Sequence, residues 1–279
     1  MRPILAHFMA NRYTQIKAEN PGKGRRYRKL CVLEAFWASF PSEPGKNEHT
    51  KLPPEPAMNL FTEDDEPYDL FTSDVVGGIV LRTDYSDEDS WNVFLAKLNE
   101  ELSEGAQENT SEHANVEMED EDENSDEEEE EGKLIKVINP SSPEERAIFE
   151  NISNLRALRL FNDVDIQPAP LVPAGTKPIS PPNRLADAFG WQEVYTGITI
   201  WIYDAQSNSD RSARLVSGSG DSEVYGTAAG DSWRAQVSHI PELQLSMTFE
   251  NMKINFGGLD RWDYSERKRN LEEANVFAV

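Results

Sequence analysis

Residues 75–102 read VVGGIVLRTDYSDEDSWNVFLAKLNEEL, which predicts a strand, a turn and a helix in that order. The apolar run 75–81, interrupted by two glycines, is typical of a buried strand. Ser86 is predicted to cap the helix, with acidic residues in the first turn facing its positive end. Gly105 is predicted to end the helix. Apolar side chains recur on one helical face. They are Trp91, Phe94, Leu95, Leu98 and Leu102.

The same pattern recurs after an acidic insertion. Residues 134–138 are rich in Leu, Ile and Val and predict a second strand. Ser142 is then predicted to cap a helix over 143–160, with Pro143 at its first position and Glu145 completing a capping box. The buried stripe of this helix is predicted to be Ile148, Phe149, Ile152, Leu155 and Leu158. The chain therefore contains two strand–helix units.

We predict an α+β fold, in which two amphipathic helices, over 87–104 and 143–160, pack on a small mixed sheet. The expected divisions are a helical segment 1–40, a Pro- and acid-rich linker 41–74, a core 75–162 with a disordered acidic insertion 106–132, a Pro-rich linker 163–185, and a β-rich part 186–279. The β-rich C-terminal part is expected to pack on the core as one domain.

Alternation of apolar side chains predicts strands in the last third of the chain. Residues 198–203 read ITIWIY and predict a strand with both faces at least partly buried. Residues 243–249 read LQLSMTF and predict a strand with one solvent-exposed face. The Gly- and Ser-rich stretch 216–231 is predicted to be a loop or hairpin, and 261–273 to form a short charged helix.

Residues 117–131, EMEDEDENSDEEEEE, carry twelve carboxylates, which is half of the formal net charge of −24. Self-repulsion and the lack of apolar side chains predict a solvated, disordered arm. Such an arm suits contact with basic proteins. Ser125 precedes a run of carboxylates, as acidophilic kinases require of a substrate, and is a candidate phosphorylation site.

A basic stretch runs from Lys23 to Lys29, with five cations in seven residues. Its candidate contact residues are Arg25, Arg26, Arg28 and Lys29. The composition favours a solvated turn between two helices, and three functions compete with that interpretation: a nuclear import signal, a nucleic-acid contact, and docking against the acidic arm. The acidity of the remaining chain argues against nucleic-acid binding.

The rest of the sequence excludes several classes of site. Cys31 is the lone cysteine, so no intrachain disulfide can form. No signal peptide or membrane span is evident, which predicts a soluble protein of the cytoplasm, or of the nucleus if the basic stretch is an import signal. The glycines of 217–222 lack a phosphate-loop lysine, and the four histidines are scattered. We therefore predict no catalytic residue, cofactor or metal ligand, and the oligomeric state stays undetermined.

Residues 78–95, GIVLRTDYSDEDSWNVFL, resemble a signature of filamentous-fungal proteins without an established activity. The shared elements are a strand ending in Arg-Thr, an aromatic residue, an acidic capped turn and a Trp-x-x-Phe helix. The resemblance implies a cytosolic α+β protein, of a kind that can be encoded beside biosynthetic gene clusters. It implies no catalytic residues.

Two function hypotheses follow from these patterns. The first is a non-enzymatic interaction or regulatory protein that uses its acidic arm. The second is an enzyme or accessory protein of fungal specialised metabolism, with a small-molecule pocket at Arg82, Tyr85 and Trp91 near the carboxyl end of the first strand. Structural roles compete at these positions, because Trp91 can fill the helix–sheet interface and Arg82 can pair with nearby acids.

Overall fold

The α+β fold is confirmed by a computed structural model that describes residues 4–39, 66–113, 132–219, 224–254, 256 and 263–276. Its strands are β1 (Val75–Arg82), β2 (Lys133–Ile138), β3 (Asn162–Pro168), β4 (Trp191–Gly197), β5 (Thr199–Tyr203), β6 (Ser212–Val216) and β7 (Ser232–Gln236). Its helices are α1 (Ile4–Glu19), α2 (Arg25–Ser39), α3 (Glu88–His113), α4 (Pro143–Phe149), α5 (Asn154–Phe161), α6 (Ser207–Asp210), α7 (Ile240–Phe249) and α8 (Tyr264–Glu273).

Five strands form a mixed sheet in the order β2-β1-β5-β6-β7. Strand β1 pairs in parallel with β2 on one side and with β5 on the other, while β5–β6 and β6–β7 are antiparallel. The predicted ITIWIY strand is thus a central strand, and its alternation sorts side chains onto two buried faces. Ile200 and Ile202 enter one apolar cluster, and Trp201 and Tyr203 enter the other.

Helix α3 covers the face of the sheet that carries Trp201 and Tyr203, as its apolar stripe predicts. The helix cap differs from the prediction, because the carboxylate of Asp87, rather than Ser86, accepts the backbone N–H of Ser90 at 2.9 Å. Ser86 instead donates to Asp84. Gly105 does not end the helix, which runs to His113, so the predicted insertion 106–132 begins with helix over 106–113.

The predicted single helix over 143–160 is two helices, α4 and α5, on the opposite face of the sheet. Asn151 lies between them with a left-handed φ of 49°, which an Asn tolerates better than most residues. Ser153 then caps α5 by accepting the N–H of Arg156. Ile148 is 38% exposed, which corrects its assignment to the buried stripe. The other four members of the predicted stripe are buried.

The predicted strand over 243–249 is wrong, since Leu243, Leu245, Met247 and Phe249 all lie in helix α7. Pro241 in the first turn suits a helix start, and Leu243 and Met247 are one turn apart and face the α3 cluster. The buried Gln244 accepts the indole N–H of Trp201 at 2.9 Å. Gly78 makes room for this contact, because a Cβ there would lie 2.7 Å from Gln244 Oε1. Packing of this segment on the sheet therefore favours a helix over the predicted strand.

Strands β3 and β4 form a separate two-stranded antiparallel sheet, which contacts α1, α2 and α5. Residues 163–168, predicted to be part of a Pro-rich linker, belong to β3. The charged helix predicted over 261–273 is α8, and its side chains close the amino end of α5. Glu266 accepts the N–H of Asn154 at 2.7 Å, and Asn270 accepts that of Leu155 at 3.1 Å. These contacts satisfy donors that a helix start leaves open.

The α3–sheet interface allows a matched stability test. Phe94 is fully buried and packs edge-on against Tyr203 with ring centroids 4.9 Å apart, whereas the adjacent Val93 is 46% exposed. We expect Phe94→Ala to lower the free energy of unfolding by about 3–5 kcal/mol in urea denaturation, because it opens a core cavity. Val93→Ala should stay within about 0.5 kcal/mol of the wild type. Equal losses in the two variants would contradict the described burial of α3.

Candidate functional site

Arg82, Tyr85 and Trp91 meet at the carboxyl end of β1, as the pocket hypothesis requires. The buried guanidinium of Arg82 lies over both aromatic rings, 5.1 Å from the Tyr85 centroid and 4.9 Å from the Trp91 centroid. Its nitrogens donate to the carbonyl oxygen of Asp84 at 3.0 Å, to the side chain of Asn139 at 3.4 Å, and to Glu88 at 2.8 Å. The guanidinium is thus engaged by the chain itself.

Tyr85 and Trp91 are engaged in the same way. The hydroxyl of Tyr85 donates to the carbonyl oxygen of Arg82 at 2.9 Å, and burial raises the pKa of Tyr85 to about 12. Trp91 is 1% exposed and packs on Tyr203. The three side chains stabilise the strand end and the start of α3. The structure brings the three together, and each of them is engaged by contacts within the chain.

The basic contact residues do not form a solvated turn. Arg25, Arg26, Arg28 and Lys29 lie in the first two turns of α2, and the last three are less than one tenth exposed. Arg26 pairs with Asp69 at 2.7 Å and donates to the carbonyl oxygen of Leu160 at 3.0 Å.

Two acids outside the arm complete these pairs. Arg25 contacts Asp69 at 3.0 Å, and Lys29 contacts Asp163 at 3.1 Å. Within the described residues the basic stretch therefore pairs with Asp69 and Asp163, while its docking against the acidic arm stays a prediction because the arm lies outside those residues.

The acidic arm 117–131 and its Ser125 lie outside the described residues, as do residues 41–65 of the predicted linker. The residues that flank the arm belong to the fold. Helix α3 precedes it, and β2 follows it as the outer neighbour of β1. Asp74 contacts Lys133 at 3.2 Å and also pairs with Lys136. The hydrogen bond from Lys136 is the main reason that the pKa of Asp74 is lowered to about 2.

A cleft of about 510 Å³ lies between the small sheet and the main sheet, with α7 and the segment after it as the third wall. This volume falls in the range of roughly 300–1,000 Å³ that is common for small-molecule sites. The described lining residues mix amides, hydroxyls and apolar side chains. They are Gln167, Pro168, Gln192, Tyr195, Thr199, Leu215, Val216, Ser217, Gly218, Ser219, Met247, Lys253, Ile254 and Phe256.

Two glutamines form the polar part of the cleft. Gln167 and Gln192 are directly paired across β3 and β4, so their side chains lie next to each other on one face of the small sheet. Gln192 is only 3% exposed, and its Oε1 has no hydrogen-bond partner among the described residues. Buried polar atoms are normally paired because leaving one unpaired costs about 1–3 kcal/mol. The Oε1 atom of Gln192, a residue of the cleft wall, is therefore an unpaired acceptor that a ligand N–H or O–H group would satisfy.

The glycine-rich stretch that follows β6 also borders the cleft. The carbonyl oxygen of Gly218 accepts the N–H of Tyr195 at 2.6 Å, which joins the end of β6 to β4. A Cβ at position 218 would overlap the carbonyl oxygen of Tyr195, so glycine permits this close approach. The hydroxyl of Ser217 donates to the carbonyl oxygen of Ser219. The loop or hairpin predicted over 216–231 is confirmed, since this stretch connects the antiparallel strands β6 and β7, and its bond to Tyr195 also joins the two sheets.

A buried polar network supports the cleft from behind. Glu193 accepts the indole N–H of Trp37 at 2.9 Å and the hydroxyl of Tyr195 at 3.0 Å, and Arg159 Nε lies 3.3 Å from that hydroxyl. Burial raises the pKa of Glu193 against the opposing pull of Arg159 and Arg184. Burial, followed by the nearby Glu193, raises the pKa of Tyr195. The network connects a cleft residue to α2 and α5.

A second cavity of about 390 Å³ lies between β7 and α7. Its described lining residues are Trp233, Arg234, Ala235, Gln236, His239, Glu242, Leu243, Ser246 and Met252. Arg234 already pairs with Asp204 and donates to Ser212 at 3.1 Å. None of the buried unpaired side-chain atoms found in the described residues belongs to this lining. The inter-sheet cleft is therefore the better candidate site.

The sequence did not identify this cleft, because its residues come from five separate stretches that only the fold unites. The nearest signal was the 217–222 stretch, of which Ser217, Gly218 and Ser219 line the cleft. Within the described residues, no group of three or more His, Cys, Asp and Glu side chains is arranged to hold a metal ion. No helix of the described ranges has the length and apolar character needed to cross a bilayer.

Comparisons with protein families, with curated proteins and with solved structures found no match to this chain. A function is therefore inferred from the geometry of the site.

The raised pKa of Glu193 gives a test by pH. Its pKa is higher in the folded than in the unfolded chain, so the folded state binds more protons at pH values just above the ordinary 4.5. The free energy of unfolding should therefore fall as the pH rises through this window, and Glu193→Gln should lack that part of the slope. Urea denaturation between pH 4 and pH 8 measures the difference between the two proteins.

An exposed carboxylate serves as the control for this measurement. Glu242 lies on the surface of α7, and Glu242→Gln should keep the wild-type slope. A wild-type minus Glu193→Gln difference that does not change with pH would show that Glu193 titrates normally.

Proposed function

We propose that this chain is a binding protein that takes a small molecule in the cleft between its two sheets. The observation that carries the proposal is the buried, unpaired amide oxygen of Gln192, a residue that borders a cavity large enough for a ligand. This site replaces the pocket expected at Arg82, Tyr85 and Trp91, whose polar groups are engaged by the chain. The resemblance to filamentous-fungal proteins supports placing this role in specialised metabolism.

The composition of the cleft supports binding more than chemistry. Amides and hydroxyls orient a ligand by hydrogen bonds, and the apolar Leu215, Met247 and Ile254 bury its hydrocarbon surface. The phenol of Tyr195 is directed to Glu193 rather than to a substrate. A lone cysteine, Cys31, fits a reducing compartment, and cytoplasmic or nuclear location forms part of this proposal.

A screen of small aromatic and aliphatic fragments with methyl NMR on the full-length protein tests the cleft. We expect binding fragments to shift the methyl signals of Met247 and Ile254, which line the cleft, while the methyls of Met9 and Ile79 in the other apolar cluster stay in place. The reason is that a ligand in the cleft touches the first pair and cannot reach the second.

A blocking variant separates the cleft from nonspecific binding. Gln167 is exposed at the cleft wall, and Gln167→Trp should fill the space and abolish the shifts. Thr196 is exposed on β4 but does not line the cleft, so Thr196→Trp should leave them unchanged. If no fragment of the screen moves the Met247 and Ile254 methyls, or if Gln167→Trp binds as the wild type does, the proposed function is wrong.

We propose, as a second function, that the arm 117–131 binds basic proteins. The ion pairs that the basic stretch makes within the chain support this proposal. Arg25, Arg26 and Lys29 pair with Asp69 and Asp163, so three cations of the basic stretch are already neutralised by other acids. In this proposal the twelve carboxylates of the arm engage an external partner, and phosphorylation of Ser125 would add about two further negative charges. The regulatory role predicted from the sequence stays a proposal of this kind.

Fluorescent polylysine is the probe for the arm. Replacing the acids of 117–131 by Asn and Gln keeps the length and removes the charge, and should slow association by about tenfold or more at low salt. Added salt should weaken wild-type binding and affect the neutralised variant little. Fluorescence anisotropy measures both. Affinities that respond neither to the replacement nor to salt would rule out this role.

A further inference from the structure

The cleft has one charged wall. Of its described lining residues, Lys253 is the one that carries a formal charge at neutral pH, and it is exposed. No salt bridge of Lys253 to a described residue is present. In a chain with a net charge of −24, this local cation selects ligands that bring a negative group. At about 0.15 M salt the screening length is about 8 Å, so Lys253 acts on a bound ligand while distant acids contribute little.

The amide pair adds a second requirement. Gln192 and Gln167 each offer a carbonyl acceptor and an N–H₂ donor, side by side on paired strands. A ligand edge that carries both a donor and an acceptor, such as a primary carboxamide or an imide, can satisfy such an amide with two hydrogen bonds. A purely hydrocarbon edge would leave the Gln192 oxygen unpaired.

The remaining wall is apolar. Leu215, Met247 and Phe256 offer contact to a ring or a branched chain. Phosphate recognition normally uses an arginine fork or several donors around a charge. A single flexible lysine at the rim suits a singly charged carboxylate better than a phosphate dianion.

We propose that the cleft takes a small apolar or aromatic monoanion, in which a carboxylate faces Lys253 and a carboxamide-type edge pairs with Gln192. This inference rests on the proposed function and specifies the chemical class of its ligand. It also assigns a specificity-determining role to Lys253 and Gln192, two residues that no sequence pattern marks as part of a site.

Four probes on the full-length protein test the class: 4-carbamoylbenzoate, benzoate, benzamide and the neutral methyl 4-carbamoylbenzoate. Titrations followed at the Met247 and Ile254 methyls should place 4-carbamoylbenzoate tightest. Lys253→Met should weaken the two carboxylates about two- to fivefold and leave the two neutral probes unchanged. Gln192→Leu should weaken the three amide-bearing probes about three- to tenfold and spare benzoate.

Stability separates recognition from folding in these variants. Gln192→Leu removes an unpaired polar group, so its thermal midpoint should equal or exceed that of the wild type. If Gln192→Leu unfolds at a lower temperature than the wild type, the Gln192 amide serves the fold, and its assignment to ligand recognition is wrong. The need for an amide at the cleft wall is then tested with Gln167→Leu, because Gln167 is exposed.

The outcomes distinguish this inference from the proposed function. If the methyl ester binds as tightly as the carboxylate and Lys253→Met changes neither, the anionic class is wrong while the cleft remains a binding site. The anionic class is also wrong if fragments of other chemistry bind and none of the four probes does. If no compound of any kind shifts the cleft methyls, both proposals fail.

Discussion

Strand β5 is inserted between β1 and β6, and this insertion unites residues from both halves of the chain in one sheet. Five residue pairs join β1 to β5, and the N–H of Thr83 extends the contact by donating to the carbonyl oxygen of Tyr203 at 2.9 Å. Because β5 is covered on both sides, its alternating side chains build both apolar clusters at once. Helix α3 and helix α7 can pack on one face, and α5 on the other, only when this strand is in place.

The cleft follows from the same arrangement. The small sheet β3–β4 sits beside the main sheet, and the bond between Tyr195 and Gly218 joins them at the end of β6. A cleft lined by residues of both sheets lies beside this junction. Gly218 permits the close approach of the two backbones, and hydrogen bonds from Trp37 to Glu193 and from Arg159 to Tyr195 connect β4 to α2 and α5. A ligand site at a junction of layers needs no catalytic motif in the sequence.

Local sequence patterns predicted those elements for which periodicity and capping signals indicate the same structure. The β1–α3 unit, β2 and β5 carry strong periodicity or capping signals, and the structure contains all of them. The 243–249 stretch shows apolar alternation, yet Leu243 and Met247 are also one helical turn apart, and packing against the Gly77-Gly78 segment decides for α7. Two caps near Asn151 and Ser153 break one predicted helix into two.

Features that depend on distant residues were out of reach of such patterns. The cations of α2 look solvated in the sequence because their partners, Asp69 and Asp163, lie more than forty and more than one hundred residues away. Gln167 and Gln192 become neighbours only through the register of β3 and β4. Nothing in the composition of either stretch marks it as part of a site. Pairing geometry, which sequence alone does not supply, is what brings these side chains together.

Native-state hydrogen exchange tests most directly whether β5 unites the two halves. A central β5 predicts that the amides of residues 200–202 belong to the slowest-exchanging group together with those of residues 79–81, with opening free energies that agree within about 1 kcal/mol. Exchange of 200–202 through a much easier opening, while 79–81 stay protected, would show that the C-terminal strands unfold separately and would contradict the central position of β5.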